Sequence, residues 1–289
     1  MSSEGICWIN HQLLALEDAR ISVMDHGLLY GDGIFEGIRF YNNQAFLLEP
    51  HLDRLVASAK ALALNIPQSL IEIKGHIQSV INAYEQSQGY IRLIITRGNG
   101  PLGINPAQCK NPQLIIIASP LQMSDQHGQS QGIRAIISST RSIPPDCLDP
   151  RIKSLNYLNP ILARIEANNA GADEAIMLNQ QGFVTEGSAD NIFIVKNNEL
   201  ISPPSIDGSL AGITRELILK LALDANITTR IESLTSFDIY SADECFLTGT
   251  GAELIPVNEV DARKYPTSPG PVFKQLKELF NAFIDTNVN

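Results

Sequence analysis

Apolar and polar residues alternate or recur with distinct periods along the chain, and those periods predict its elements. Asp32-Gly33 is a turn signal, and the β-branched and aromatic run from Ile34 to Tyr41 that follows it reads as a strand. Asn42-Asn43 then reads as a hairpin turn into a second strand, Ala45 to Leu48. From Pro50, the residues Leu52, Leu55, Val56, Ala59, Leu62 and Ala63 recur at helical spacing, which predicts an amphipathic helix to about Leu64. Pro67 closes that element, and Ser69 opens a second helix reaching about Tyr84. Tyr90 to Thr96 and Leu114 to Ala118 read as strands, the second apolar throughout and so buried on both faces.

Between Ser119 and Gly132 the composition turns to Gln, Ser, Asp, His and Gly, which marks a linker. The expected division is a small N-terminal α/β domain over 1–120, an interdomain loop over 121–132, and a larger C-terminal domain over 133–289. The second block opens with a strand, Ile133 to Ser138, and continues through a Pro-Pro loop to a helix from about Pro160 to Asn168. Asn159 is suited to cap that helix and Gly171 to end it. Phe193 to Ile201, centred on Asn197-Asn198, reads as another hairpin. Helices follow from near Thr214, with Leu217, Ile218, Leu221 and Ala222 on one face, and around Val272, Leu276, Leu279 and Phe280. The fold class expected is mixed α/β (α+β) in two blocks, with the active site where they meet.

Composition narrows the function. At 289 residues with 44% hydrophobic and 18% charged content, the chain suits a soluble protein with a substantial core. A formal net charge of −10 argues against nucleic acid or an anionic membrane as partner. The four cysteines are far apart with no C-x-x-C pair, which suits free thiols in a reducing compartment. The five histidines have no ligand spacing, so no metal is expected. The first residues lack the basic start and apolar run of a secretion signal, and Leu114 to Ala118 is too short to span a bilayer, so a cytoplasmic location is expected.

Several residues are suited to hold an aldehyde cofactor with a pyridine ring and a phosphate. Lys153 lies among Ile152, Leu155 and Tyr157, where desolvation would free its lone pair for imine chemistry. Glu186 precedes Gly-Ser-Ala and a strand, so it would project from a turn. A carboxylate there would keep a pyridine nitrogen protonated and make the ring an electron sink. Tyr157 would reach a phenolic oxygen. Leu210-Ala-Gly-Ile-Thr-Arg215 opens a helix through glycine and offers its N-terminus to an anion. Thr248-Gly-Thr-Gly-Ala-Glu253 would form a backbone nest, and Arg54 would bring counter-charge. Each has a plainer reading when taken alone. Lys153 reads as a surface lysine, Glu186 as a strand-edge carboxylate, Tyr157 as a core-edge tyrosine, Thr214 as a helix cap and Arg54 as half of a surface ion pair. Gly98-Asn-Gly-Pro-Leu-Gly103 lacks the order of a nucleotide loop and reads as a plain loop.

Taken in order, the strings Y-G-D-G-I-F-E-G-I-R (Tyr30 to Arg39), H-L-D-R-L (from His51), Y-I-R (from Tyr90), I-K-S-L-N-Y (from Ile152), E-G-S-A-D-N-I-F (from Glu186), L-A-G-I-T-R and T-G-T-G-A-E span nearly the whole chain. In these the chain resembles the class IV (fold-type IV) pyridoxal-phosphate aminotransferases, and within them the branched-chain amino acid aminotransferases. The resemblance implies the two-domain fold-type IV architecture and pyridoxal 5′-phosphate as cofactor. It implies that Lys153 forms the internal aldimine and shuttles the proton. Arg54, Ile213, Thr214 and Thr250 would hold the phosphate, Glu186 the pyridine nitrogen and Tyr157 the phenolic oxygen. Thr250 and Gly251, with Tyr90, would bind the substrate α-carboxylate. Phe35, Gly37, Arg39 and Arg92 would line the pocket, with Tyr30 entering from a partner subunit, so that the active unit would be a homodimer or a multiple of it. The reaction implied is transamination of leucine, isoleucine and valine with 2-oxoglutarate, giving branched-chain 2-oxo acids and L-glutamate.

Some residues depart from the family pattern. Ala211 stands for a proline, Ala189 for a glycine and Gly251 for an alanine. The last lies in the implied carboxylate site. The D-amino acid transaminases resemble the chain at Thr96-Arg97-Gly98, but a histidine would be expected where Asn99 stands. D-amino acid or (R)-amine transamination, aminodeoxychorismate lyase chemistry and a non-enzymatic relative of the same fold are the alternatives.

Overall fold

The structure is a computed structural model that describes residues 5–120 and 132–288; the expected linker, 121–132, lies almost wholly outside the described residues. The chain divides into two compact units. One holds residues 1–122, 152–156 and 284–289, and the other holds 123–151 and 157–283. The short segment containing Lys153 therefore groups with the first unit although it lies beyond the linker in sequence.

The first unit is built on an antiparallel sheet of six strands, in the order β2-β1-β6-β5-β3-β4. These are β1 (Ile6–Ile9), β2 (Gln12–Ala15), β3 (Gly33–Tyr41), β4 (Gln44–Ala45), β5 (Gly89–Thr96) and β6 (Gln113–Ser119). Asn42 and Asn43 both take positive φ, the left-handed pair that a two-residue hairpin turn requires. The strand expected over Ala45 to Leu48 is only Gln44–Ala45. Leu47 turns left-handed at φ 52°, and a helix runs from Leu48 to Ala61. Pro50 thus sits inside the first turn, where its missing N–H has no intrahelical partner to lose. The helix ends at Ala61, short of Leu64, because the chain reverses at Ala63 with φ 46°. Ser69 caps the helix Leu70–Ala83 in a reciprocal box with Glu72.

Strand alternation sorts this sheet into two faces. Ile34, Ile38 and Phe40 of β3 and Ile91, Leu93 and Ile95 of β5 join Leu52, Leu55, Ile73, Ile77 and Ile81 of the two helices in one core. The intervening residues Phe35, Gly37, Arg39, Tyr90 and Arg92 fall on the other face.

The second unit carries a mixed sheet of nine strands, in the order β12-β11-β10-β13-β14-β7-β8-β9, with β15 beside β14. They are β7 (Ile133–Ile137), β8 (Glu174–Leu178), β9 (Val184–Gly187), β10 (Asn191–Lys196), β11 (Glu199–Ser202), β12 (Thr229–Ile231), β13 (Glu244–Gly249), β14 (Glu253–Val260) and β15 (Arg263–Lys264). The expected hairpin through Asn197-Asn198 is the β10–β11 pair, again with two positive φ values. The helix expected from Pro160 runs Leu158–Asn169 with Tyr157 as its N-cap. Asn159 is not the cap: its side chain accepts from Ile143 N–H at 3.2 Å and donates to Arg141 O at 2.9 Å, pinning the proline-rich loop instead. Likewise Gly212, not Thr214, caps the helix Ile213–Asp224. Phe193 stacks on Phe246, and Phe273 of the helix Pro271–Asn287 meets Phe246 edge-on. No helix among the described residues is long and apolar enough to cross a membrane.

Ser69→Ala removes one side of the capping box and is expected to cost about 1 kcal/mol. Urea titration of the variant checks this, and an unchanged midpoint would contradict it.

Candidate active site

Lys153 reaches the first unit's sheet through main-chain pairing. Residues 153–155 lie along the free edge of β3: Phe35 N–H donates to Lys153 O, and Leu155 N–H donates to Gly33 O, both at 2.9 Å. Lys153 N–H donates in turn to Ser58 Oγ of the helix Leu48–Ala61 at 3.2 Å. Its Nζ stands 4.6 Å from the centre of the Phe35 ring. Arg92 covers the same ring at 4.4 Å and lies 5.4 Å from that of Tyr90, so the two cations share one aromatic surface.

The register explains the neighbours. Gly37 pairs with Arg92 and Arg39 with Tyr90. The Tyr90 side chain crosses to Gly37, where an added Cβ would overlap its hydroxyl, so a larger residue there would push the Tyr90 ring aside. Arg39 Nε donates to the Tyr41 hydroxyl at 3.3 Å. Tyr30 ends the short helix His26–Tyr30, is 38% exposed, and accepts from Gly103 N–H at 2.9 Å. Phe35, Gly37, Arg39, Tyr90, Arg92 and Lys153 are thus gathered at one sheet.

Arg54 lies on the core side of the same strand. Its Nε and Nη2 donate to the two oxygens of Glu36, each at 2.8 Å, and His51 Nδ1 donates to Glu36 Oε2 at 2.8 Å. Glu36 and His51 have no role of their own in the sequence reading, although a signal exists. Glu36 is a carboxylate at a core-facing position of an apolar strand, and such a charge needs partners one helix away. Burial alone would push the Glu36 carboxyl up; the hydrogen bonds from Arg54 and His51 outweigh it and hold it down at about 2. Burial pushes the His51 imidazole down, against the opposing pull of Glu36.

The second unit gathers another set. Glu186, on β9, accepts at Oε2 from Asn191 Nδ2 at 3.2 Å and from Leu210 N–H at 3.1 Å. Asn191 Nδ2 also donates to Leu210 O at 2.9 Å, tying the start of β10 to the approach of the helix Ile213–Asp224. An added Cβ on Gly212 would overlap Asn191 Oδ1, so a larger residue at this N-cap would have to displace the Asn191 amide from its hydrogen bonds. Gly212 brings no capping side chain, and the first-turn N–H groups at Ile213 and Thr214 remain suited to an anion. Arg215, buried in that first turn, anchors it by donating to Ser202 Oγ and Pro203 O, each at 2.9 Å. Thr250 and Gly251 form the tip of the β13–β14 hairpin, whose Gly249 lies against Asp190 with no room for a Cβ. Asn191 and Arg215 lie in strings that the sequence singles out, but their roles do not show there: both bond neighbouring loops and leave no periodic trace.

The amino-transferase class IV family model matches residues 33–260. The chain belongs to that family. Among its class IV relatives, a Methanocaldococcus jannaschii protein that bears the branched-chain-amino-acid aminotransferase name provisionally is 47% identical over 94% of both chains. The Escherichia coli K12 branched-chain-amino-acid aminotransferase is 35% identical over 94% of this chain and 91% of its own. A crystal structure of the E. coli enzyme superposes with a TM-score of 0.92, covering 96% of this chain and 93% of that one. The branched-chain aminotransferase of the thermophilic archaeon Thermoproteus uzoniensis, solved with norvaline, gives 0.89 at 34% identity, covering 96% and 94%. A further branched-chain amino acid aminotransferase, that of T.th., solved with pyridoxamine 5′-phosphate, gives 0.92 at 32% identity, covering 100% and 96%. Structures of the T.th. enzyme also hold N-(5′-phosphopyridoxyl)-L-glutamate and 4-methylvaleric acid.

The Glu36 network has a pH signature. The carboxyl's folded value, about 2, lies below its ordinary 4.5, so its contribution is complete above pH 4.5 and is lost as pH falls toward 2. Unfolding titrations should show stability declining through that window, and Glu36→Gln should flatten the decline. An equally steep decline in the variant would contradict the assignment.

Proposed function

We propose that this chain is a pyridoxal-phosphate-dependent aminotransferase that exchanges the amino group of leucine, isoleucine or valine with 2-oxoglutarate. The observation that carries this reading is the set on one sheet face: a lysine amine, an aromatic ring and arginines, with Arg92 and Lys153 both on Phe35. An apolar ring suits a branched side chain, and an arginine suits the second carboxylate of 2-oxoglutarate or glutamate. The T.th. relative supports this pairing, because it has been seen with both a glutamate adduct and a branched aliphatic acid.

The residues present fit the cofactor. Gly212 leaves the start of a helix without a side-chain cap, the chemistry a phosphate needs, and Glu186 brings a carboxylate for a pyridine nitrogen. The cofactor, when bound, withdraws electrons from the substrate α-carbon. Lys153 Nζ takes the α-proton of the amino donor and returns a proton to that carbon of the oxo-acid acceptor. Glu186 holds the ring proton and Tyr157 orients the phenolic oxygen. Arg54, Ile213, Thr214 and Thr250 bind the phosphate. Tyr90, Thr250 and Gly251 orient the substrate carboxylate, while Phe35, Gly37, Arg39 and Arg92 set the side-chain preference. Asn99 stands where the D-amino acid enzymes would carry histidine, and its main chain pairs with Asp25 and Lys110. The L-branched-chain reading is therefore favoured over D-amino acid or (R)-amine transamination and over lyase chemistry.

The working form is a homodimer or a multiple of it, with Tyr30 serving the neighbouring copy. In the first unit Val23, Leu28, Leu102 and Ile104 are 73%, 59%, 75% and 84% exposed, apolar side chains that a second copy would take out of water. A reducing, cytoplasmic setting is the compartment proposed, on the wide spacing of the four cysteines along the sequence.

Assays with L-leucine, L-valine and D-alanine as donors to 2-oxoglutarate test the reaction. Turnover with the L-donors is expected, and turnover with D-alanine alone would overturn the reading. Lys153→Ala should fold normally and lose at least about 100-fold in rate, whereas wild-type-like turnover would remove Lys153 from the mechanism. Light scattering should give twice 31.6 kDa or a multiple of that dimer mass, and a stable 31.6 kDa species with full activity would contradict the assembly.

A further inference from the structure

Glu36 occupies a place where its strand asks for an apolar side chain. Its neighbours on the same face, Ile34 and Ile38, are fully buried in the core, and Glu36 is fully buried with them. An ionised carboxylate there is costly unless paired, and the strand could have carried another isoleucine. The charge is instead met on three sides by two residues of one helix. Arg54 presents Nε and Nη2 as a fork to both carboxylate oxygens, and His51, one turn earlier, adds a third hydrogen bond, all at 2.8 Å. Against a carboxylate a fork fixes both the plane and the rotation of a guanidinium, which a single bond would leave free to swivel.

We infer that Glu36 and His51 are positioning residues that hold the Arg54 guanidinium in the one orientation in which it receives the cofactor phosphate. The inference rests on the phosphate role of Arg54 proposed above. Neither residue touches the cofactor; both act through Arg54. Removing the Glu36 charge would by itself strengthen the pull of Arg54 on an anion. The lost orientation outweighs that gain, because a released guanidinium must be ordered anew each time the phosphate binds.

The same arrangement also clamps the helix Leu48–Ala61 to β3, so a purely structural role must be told apart. Pyridoxal, which lacks the phosphate, provides the comparison. Equilibrium dialysis of wild type, Glu36→Gln and Arg54→Ala against pyridoxal phosphate and against pyridoxal separates the cases. Glu36→Gln is expected to weaken pyridoxal phosphate at least about tenfold while changing pyridoxal less than about twofold. In the Arg54→Ala background, Glu36→Gln should add nothing further. Equal weakening of both ligands, no weakening, or full additivity with Arg54→Ala would overturn the inference. If Glu36→Gln does not fold, His51→Gln is read by the same selective weakening, and equal or absent effects overturn the inference there too. A wild type that binds pyridoxal phosphate no better than pyridoxal would instead sink the phosphate site itself, which keeps the two failures apart.

Discussion

The two-residue period of β3 is the constraint on which the first unit depends. Every second side chain enters the core with the helices Leu48–Ala61 and Leu70–Ala83, and every other one is delivered to the opposite face. Phe35, Gly37 and Arg39 owe their common direction to this alternation, and Tyr90 and Arg92 share it through the β3–β5 register. The free edge of the strand then takes up residues 153–155 by main-chain hydrogen bonds, which brings Lys153 to the Phe35 ring from far along the sequence. A slip of one residue in β3 would bury Arg39 and expose Ile38, so core packing and site geometry enforce the same register.

Glu36, the charged residue on the core-facing side of β3, carries the electrostatics. A fully buried carboxylate is stable here only because Arg54 and His51 reach it from one helix face, a single turn apart, at hydrogen-bonding distance. In the second unit Asn191 plays the corresponding part with neutral groups. It links Glu186, Leu210 and the glycine-capped start of a helix, so that a carboxylate and a helix N-terminus suited to an anion are held by one amide.

Much of the fold is legible in the sequence. The helices with strong 3.6-residue periods were legible because one face of each is buried, and the two Asn-Asn hairpins because only a few residue types accept two consecutive left-handed positions. Strands such as β8 and β13 were not. Both are buried along almost their whole length and so lack the alternation that distinguishes a strand from a buried helix segment. Helix starts were misread at Pro50 and Asn159, because a residue suited to a first turn need not be its cap. Lys153, Glu186 and the 210–215 string stood out as candidates from their residue types in order. The bonds that Glu36, His51, Asn191 and Arg215 make were not legible, since their partners lie across the fold; Glu36 alone carried a trace, as a carboxylate at a core-facing position of an apolar strand.

The visible absorption spectrum of the purified protein, recorded before and after addition of L-leucine, is the most direct measurement. A yellow band from cofactor held by Lys153, converting to the shorter-wavelength band of the aminated cofactor on adding L-leucine, is the expected result. No visible band, even after pyridoxal phosphate is supplied, would contradict the cofactor reading. A band that ignores L-leucine would contradict the substrate assignment.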